Sequence, residues 1–385
     1  MMKKVLIVFL VMIFFFASYP GAIAAEETAL INHSNSAVLL EAETGELLFE
    51  QEKDMRLPPA SMTKLMTLLM IMEALDQGEV DLEEEVRISA YAASMGGSQI
   101  FLEENETMIV NDLLKAIAVG SANDASVALA ERIAGSEEAF VEKMNEKVSE
   151  LGLTDSNFQN VTGLPADNHY SSAYDMGMIA KELLKHEEIT EYTSIYEDYL
   201  RKGTDEEFWL VNTNKLVKFY QGVDGLKTGY TNEAKYCLTA TAKRGDLRVI
   251  AVVMGADTVQ HRNSDISSLL DFSFNQFEFE RLHAAGEELY KWEEMRSEAG
   301  EIILTTEDPI SSVYKKGEEV NLRTEIEIDS DQSWPVSQGD RIGTIHVYNG
   351  EELMSSKDLV VRDEQKEASM YQKFKRIMSD FHAVK

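Results

Sequence analysis

The chain has little cysteine, a deficit of positive charge and, beyond its first residues, no apolar run of membrane-spanning length. A single cysteine, Cys237, in 385 residues excludes an internal disulfide, so stability must come from a packed core. Lysine and arginine number 36 against 68 aspartates and glutamates, a formal net charge of -32. That excludes nucleic acid as a natural partner and keeps the protein soluble beside other anionic polymers. Neither paired histidines nor a spaced Asp/Asn loop is present. The acidic runs Asp81 to Glu85 and Glu103 to Glu106 therefore read as solvated helix ends and loops rather than calcium or zinc sites. No metal or organic cofactor is implied.

What is there begins at the N-terminus. Two lysines in Met1 to Lys4, an apolar stretch from Val5 to Ala17 and the small residues Ala22-Ile23-Ala24 are the three regions of a secretory signal, residues 1–24. The alternative is an uncleaved anchor, for which the apolar stretch is short. Either way the working part is exported, to the outer face of the cytoplasmic membrane or beyond it. The remaining length suffices for one large domain and a smaller one.

The chain is organised around Pro59-Ala60-Ser61-Met62-Thr63-Lys64, which opens the apolar run Leu65 to Leu75. Three residues apart at a helix start, the Ser61 hydroxyl and the Lys64 amine share a face. A lysine can take a serine proton only if burial and nearby cations hold it partly neutral, and the run after Lys64 supplies burial. The pair alone is weak, because Ser-x-x-Lys recurs at Ser312-Val313-Tyr314-Lys315 among turn residues, where it reads as structural. Weight comes from Ser121-Ala122-Asn123 and then Lys227-Thr228-Gly229, which follow in order and complete the signature of active-site-serine enzymes that handle penicillin or its peptide analogues.

With these, and with Asn160-Val161-Thr162-Gly163-Leu164-Pro165 and Gly222-Val223-Asp224-Gly225-Leu226 before Lys227, the sequence resembles the serine-type D-alanyl-D-alanine carboxypeptidases, the low-molecular-mass penicillin-binding proteins, from about Asn35 to the C-terminus. The resemblance implies an α/β (α+β) transpeptidase-like domain, an antiparallel sheet flanked by helices, over residues 25–275. It further implies acylation of Ser61 by a peptidoglycan stem peptide or a β-lactam, with Lys64 as base. Ser121 would relay a proton to the leaving amine, and Asn123 would hold Lys64 and a substrate carbonyl. Lys227 and Thr228 would receive the terminal carboxylate with Arg262, Gly229 would admit the substrate, and the amides of Ser61 and Tyr230 would form the oxyanion hole. Lys235 departs from the glycine that related sequences carry after Lys-Thr-Gly. A β-lactamase would carry a water-activating glutamate in the loop after Asn160, and none is seen there. A β-lactam-binding sensor with little turnover stays open on sequence alone.

The local pattern agrees. Val38 to Phe49 reads as two strands about Glu43-Thr44-Gly45-Glu46, and Gly96-Gly97-Ser98 as a loop. Helical spacing marks Asn111 to Val119, Asp124 to Ile133, Phe140 to Leu151 and Asp175 to Leu184, with Ser121 on a break. Ser-x-Asn can also be a simple N-cap, as Ser273-Phe274-Asn275 shows by recurring. His169 reads as a hydrogen-bonded loop histidine. Tyr236 to Ala242 and Arg248 to Met254 read as paired strands about an Arg244-Gly245-Asp246 turn, with Lys-Thr-Gly on an edge strand. Residues 276–365 alternate in short runs, a small all-β domain. In 366–385, Met370, Tyr371, Phe374, Ile377, Met378 and Phe381 fall on one helical face, with Lys373, Lys375 and Arg376 off it. Too short to span, that helix reads as lying in the membrane surface with its cations on anionic lipid, or else as packed on the β domain.

Overall fold

The computed structural model describes residues 30–329 and 334–383, with side chains of the last helix described as far as Met378. The expected signal, residues 1–24, and the Phe381 side chain lie outside the described residues. Strand β1 (Ser36–Glu41) turns through Thr44 and Gly45 into β2 (Leu47–Gln51), the expected hairpin. Two short hairpins follow, β3 (Glu85–Arg87) with β4 (Thr107–Ile109) and β5 (Glu197–Leu200) with β6 (Phe208–Val211). Then come the long strands β7 (Val223–Thr231), β8 (Lys235–Arg244) and β9 (Leu247–Ala256). The main sheet runs β2-β1-β9-β8-β7, antiparallel throughout, which leaves the Lys-Thr-Gly strand β7 at an edge.

Both faces of this sheet are covered, and the two-residue period of the strands sorts the side chains. Val38, Leu40, Ile250, Val252 and Met254 face a core shared with helices α1 (Lys64–Asp76), α2 (Asn123–Ala134), α3 (Glu137–Glu150) and α4 (Ala173–Leu183). Ala37, Leu39, Val249, Ala251 and Val253 face α5 (Val259–Gln276) through Ile266, Leu269, Leu270 and Phe274. Double coverage explains why β9 reads as an unbroken apolar run. Helix α1 is buried on every side from Lys64 to Met72, so it has no polar stripe. At about 1.5–3 kcal/mol for each fully buried Leu, Ile or Met, it anchors the turn that precedes it.

The remaining strands are β10 (Phe277–His283), β11 (Tyr290–Glu293), β12 (Glu301–Thr305), β13 (Ile310–Lys315), β14 (Leu322–Ile328), β15 (Arg341–Asn349) and β16 (Glu352–Val361). They form a five-stranded sheet, β11-β12-β16-β15-β14, and a β10–β13 pair around a separate core that includes Ile302, Leu304, Ile342 and Leu359. Arg281 and Ser311 tie this region to Glu43 in the β1–β2 turn. Ser312 and Lys315 both lie on β13, where a three-residue spacing puts side chains on opposite faces, so the second Ser-x-x-Lys forms no pair.

Helix α6 (Met370–Ala383) closes the chain. Its Met370, Tyr371, Phe374, Ile377 and Met378 are exposed. Arg376 donates to the main-chain carbonyls of Met295, Ser297 and Glu298, and Lys373 pairs with Glu367. This corrects the expectation that all three cations point to lipid: two are engaged by protein, because the polar edge of the helix is also its docking edge. Among the described residues, no helix is long and apolar enough to cross a membrane.

Candidate active site

Ser61 does not sit on the α-helix expected to start there. Ala60–Thr63 is a 3-10 turn and α1 begins at Lys64. The tighter winding nearly eclipses residues i and i+3, which brings the Lys64 Nζ to 3.3 Å from the Ser61 Oγ. Ala60 has a φ of 48°, a left-handed conformation that costs a residue other than glycine about 1 kcal/mol or more. Its neighbours hold it there. A Cβ on Gly163, itself at φ 82°, would stand 1.8 Å from the Ala60 carbonyl oxygen, and one on Gly229 would stand 2.6 Å from that of Pro59. Two bare glycine backbones, one from a loop and one from β7, thus clamp the serine turn.

Lys64 is fully buried, and its Nζ donates to Asn123 Oδ1 at 2.6 Å and to the Thr162 carbonyl at 2.7 Å. Burial, with the Lys227 ammonium adding to it, pushes the Lys64 pKa well below its ordinary value, against the opposing pull of Asp124. The Thr162 carbonyl is aimed by Asn160, whose Oδ1 accepts from the amides of Thr162 and Gly163 at 3.1 and 2.7 Å. Beneath this loop, His169 Nδ1 accepts from the Gln159 amide, so its Nε2 carries the hydrogen and donates to Thr63 Oγ1 at 2.8 Å. Burial pushes the His169 pKa down to about 4, in keeping with a structural, neutral loop histidine.

Ser121 lies where the break was expected, at φ 62° between a π-helical stretch, Ala116–Gly120, and α2. It does not cap α2, whose N-cap is Ala122. The Ser121 Oγ is buried without a hydrogen-bond partner among the described residues. Such a group costs about 1–3 kcal/mol, which a fold retains where the hydroxyl has other work. Asn123 is pinned on all sides: its Nδ2 donates to the Gly96 carbonyl and its amide to that of Ser98, each at 2.7 Å.

On the β7 side, Lys227 is buried and its pKa is brought down to about 7 by burial and by the Arg262 guanidinium. Arg262, on the first turn of α5, is also buried, and burial brings it down to about 10. Its guanidinium donates to Asn263 Oδ1, and neither cation has a carboxylate partner among the described residues. Two buried cations without a counter-ion form a site for an anion. Thr228 donates through Oγ1 to Thr213 Oγ1 at 2.8 Å. Tyr230 is half exposed, its ring tilted against Tyr236 with centroids 4.4 Å apart. Lys235 takes φ 58° at the β7–β8 turn, a conformation that glycine adopts without strain, and its side chain is exposed.

Sequence reasoning missed three supports. The Thr162 carbonyl and the Asn160 that aims it lay inside a quoted motif, where Asn two residues before Thr and three before Gly was the signal for a side-chain-closed turn. Gly96 to Ser98 was read only as a loop. Thr213 carried no local signal.

An antiparallel sheet between two helical layers, with a serine, a buried lysine and a Lys-Thr-Gly edge strand around one cleft, is the architecture of the penicillin-binding serine enzymes. A family profile described as D-alanyl-D-alanine carboxypeptidase matches residues 23–258, and one described as penicillin-binding protein 5, C-terminal domain, matches 277–367. The D-alanyl-D-alanine carboxypeptidase DacF of Bacillus subtilis is 48% identical over 389 residues, covering 100% of both chains. Crystal structures of penicillin binding protein 5 from Haemophilus influenzae align with a TM-score of 0.72 at 31% identity, over 87% of this chain and 98% of that one. Penicillin-binding protein D2 of Listeria monocytogenes in its ampicillin-bound form aligns at 0.57 with 34% identity, over 63% of this chain and 97% of that one. The chain belongs to the D-alanyl-D-alanine carboxypeptidase family, serine peptidases of the bacterial cell wall.

Proposed function

We propose that the enzyme removes the terminal D-alanine from peptidoglycan stem pentapeptides through an acyl-enzyme on Ser61. The observation that carries this is the environment of the Lys64 amine. A neutral amine has two N–H groups and one lone pair. Asn123 Oδ1 and the Thr162 carbonyl take the two hydrogens, which leaves the lone pair for the Ser61 hydroxyl 3.3 Å away. Ser61 attacks the carbonyl of the penultimate D-alanine as Lys64 takes its proton. The amides of Ser61 and Tyr230 stabilise the oxyanion. Ser121, the unpaired buried hydroxyl, passes the proton to the departing amine. Lys227, Thr228 and Arg262 hold the terminal carboxylate, and water then hydrolyses the ester to regenerate Ser61.

The same reading divides the chain into a catalytic domain, residues 25–275, a β domain, residues 276–365, and the tail. It places the enzyme outside the cytoplasm after export through the 1–24 signal. The exposed apolar face of α6 supports peripheral attachment to the membrane surface. The deciding test is release of free D-alanine from a pentapeptide ending in D-Ala-D-Ala, with Ser61→Ala and with penicillin-treated protein as controls. Release is expected only in the untreated wild type. Labelling of Ser61 by penicillin without any peptide turnover would leave a β-lactam sensor in its place.

A further inference from the structure

Glu137, on the first turn of α3, is buried, and nothing in the acyl-transfer scheme calls on it. Its two oxygens go to two different loops. Oε1 accepts from the Val161 amide at 3.1 Å, and Oε2 accepts from the Tyr91 phenol at 2.6 Å. The second bond, with burial, pushes the Tyr91 pKa up to about 12. A carboxylate taken out of water is costly unless such bonds replace its hydration, so its place in the fold is set by what it joins.

Both loops end on the Lys64 amine. In the first, each main-chain group of Val161 and Thr162 has a partner: the Val161 amide on Glu137, the Val161 carbonyl on Thr67 Oγ1, the Thr162 amide on Asn160 Oδ1, and the Thr162 carbonyl on Lys64 Nζ. In the second, Tyr91 lies on the short helical turn Ala90–Ala93, and the chain runs on to Gly96 and Ser98. Their carbonyls accept from the Asn123 side chain and amide, and Asn123 Oδ1 is the other acceptor of Lys64. One carboxylate therefore stands behind both tethers of the base.

We propose that Glu137 is a positioning residue that aims the Lys64 lone pair at Ser61 by fixing the Thr162 and Asn123 acceptors together. It has no part in the chemical step, and its effect rests on the proposed reading of Lys64 as the base.

The test is penicillin acylation of Ser61, resolved into binding before the covalent step and the rate constant of acylation. Counting only molecules that finally become labelled removes any unfolded fraction. In Glu137→Leu, which keeps the bulk and loses both bonds, the acylation constant should fall about thirtyfold, while binding changes by less than about twofold because Lys227, Thr228 and Arg262 are untouched. Glu137→Gln can still accept from Val161 through its oxygen and donate to the Tyr91 oxygen, so it should stay within about threefold of wild type. Tyr91→Phe cuts one link and should cost about fivefold, with no further loss when added to Glu137→Leu. The exposed neighbour Glu138→Ala is the control and should acylate as wild type does. If Glu137→Leu does not fold, Tyr91→Phe carries the same comparison. An unchanged acylation constant, a loss that lies in binding, or a Gln variant as slow as Leu overturns the proposal. Wild type that is acylated but releases no D-alanine fails the carboxypeptidase reading alone and leaves this comparison intact; wild type that is not acylated fails both.

Discussion

In the proposed mechanism the two buried lysines of the site need opposite protonation states, although burial beside another cation lowers the pKa of both. Lys64 must be neutral to accept the serine proton, and its burial next to Lys227 favours that form. Lys227 must be charged to receive a carboxylate, yet in the free enzyme it titrates at about 7. Activity should therefore rise with pH as Lys64 loses its proton and fall as Lys227 loses its own. The alkaline limb of kcat/KM is expected near pH 7, whereas that of kcat should lie higher, since a bound carboxylate favours the lysine cation. Lys227→Arg, whose guanidinium stays charged, should move the alkaline limb of kcat/KM upward by more than a unit; an unmoved limb in the pH profile would assign it to another group. The burial that lowers Lys64 was legible in the apolar run that follows it, whereas the lowering of Lys227 was not. Ser61, Lys64, Ser121, Asn123 and Lys227 were legible as residue types at telling spacings. Burial depth and the missing counter-ion at Arg262 exist only once α5 is laid against the sheet.

At the level of elements, the serine turn is held by what its neighbours lack. Gly163→Ala would drive a methyl group into the Ala60 carbonyl and place a side chain at a left-handed φ. A loss of at least about 3 kcal/mol of stability is expected, with a fall in D-alanine release and penicillin acylation of about a hundredfold as Ser61 is displaced. Gly135→Ala is the control. That glycine also has a positive φ, 85°, but open space around its Cβ position, so thermal unfolding should show only a cost of about 1 kcal/mol, with activity kept. Wild-type-like acylation by the Gly163 variant would refute the clamp. The sequence pattern announced most of these elements because their cause is local: alternation for β1 and β2, a helical period for α2 to α4, a glycine turn between β8 and β9. The 3-10 start at Ala60 was misread as α-helix because its cause lies elsewhere in the chain, in the backbones of the Gly163 loop and β7.

For the molecule as a whole, the proposed attachment of α6 to a membrane surface is the feature to test. Its apolar face is exposed while Lys373 and Arg376 are taken up by protein. Attachment should then depend on the apolar residues more than on lipid charge. Co-sedimentation with vesicles is expected to weaken more than tenfold for Phe374→Ser with Ile377→Ser, and to change only a few-fold between neutral and anionic lipid. A strict requirement for anionic lipid would restore the cations to the role that the sequence suggested.

The tethers of Lys64 reach far along the chain, to Asn123 and to Thr162, 59 and 98 residues away. An unfinished chain has neither tether, and its Lys64 is an ordinary ammonium beside an ordinary alcohol. The enzyme is thus inert by construction while it is being made, and it becomes reactive in the act of completing its fold. Covalent capture by penicillin counts finished molecules, and can serve as a clock for their maturation.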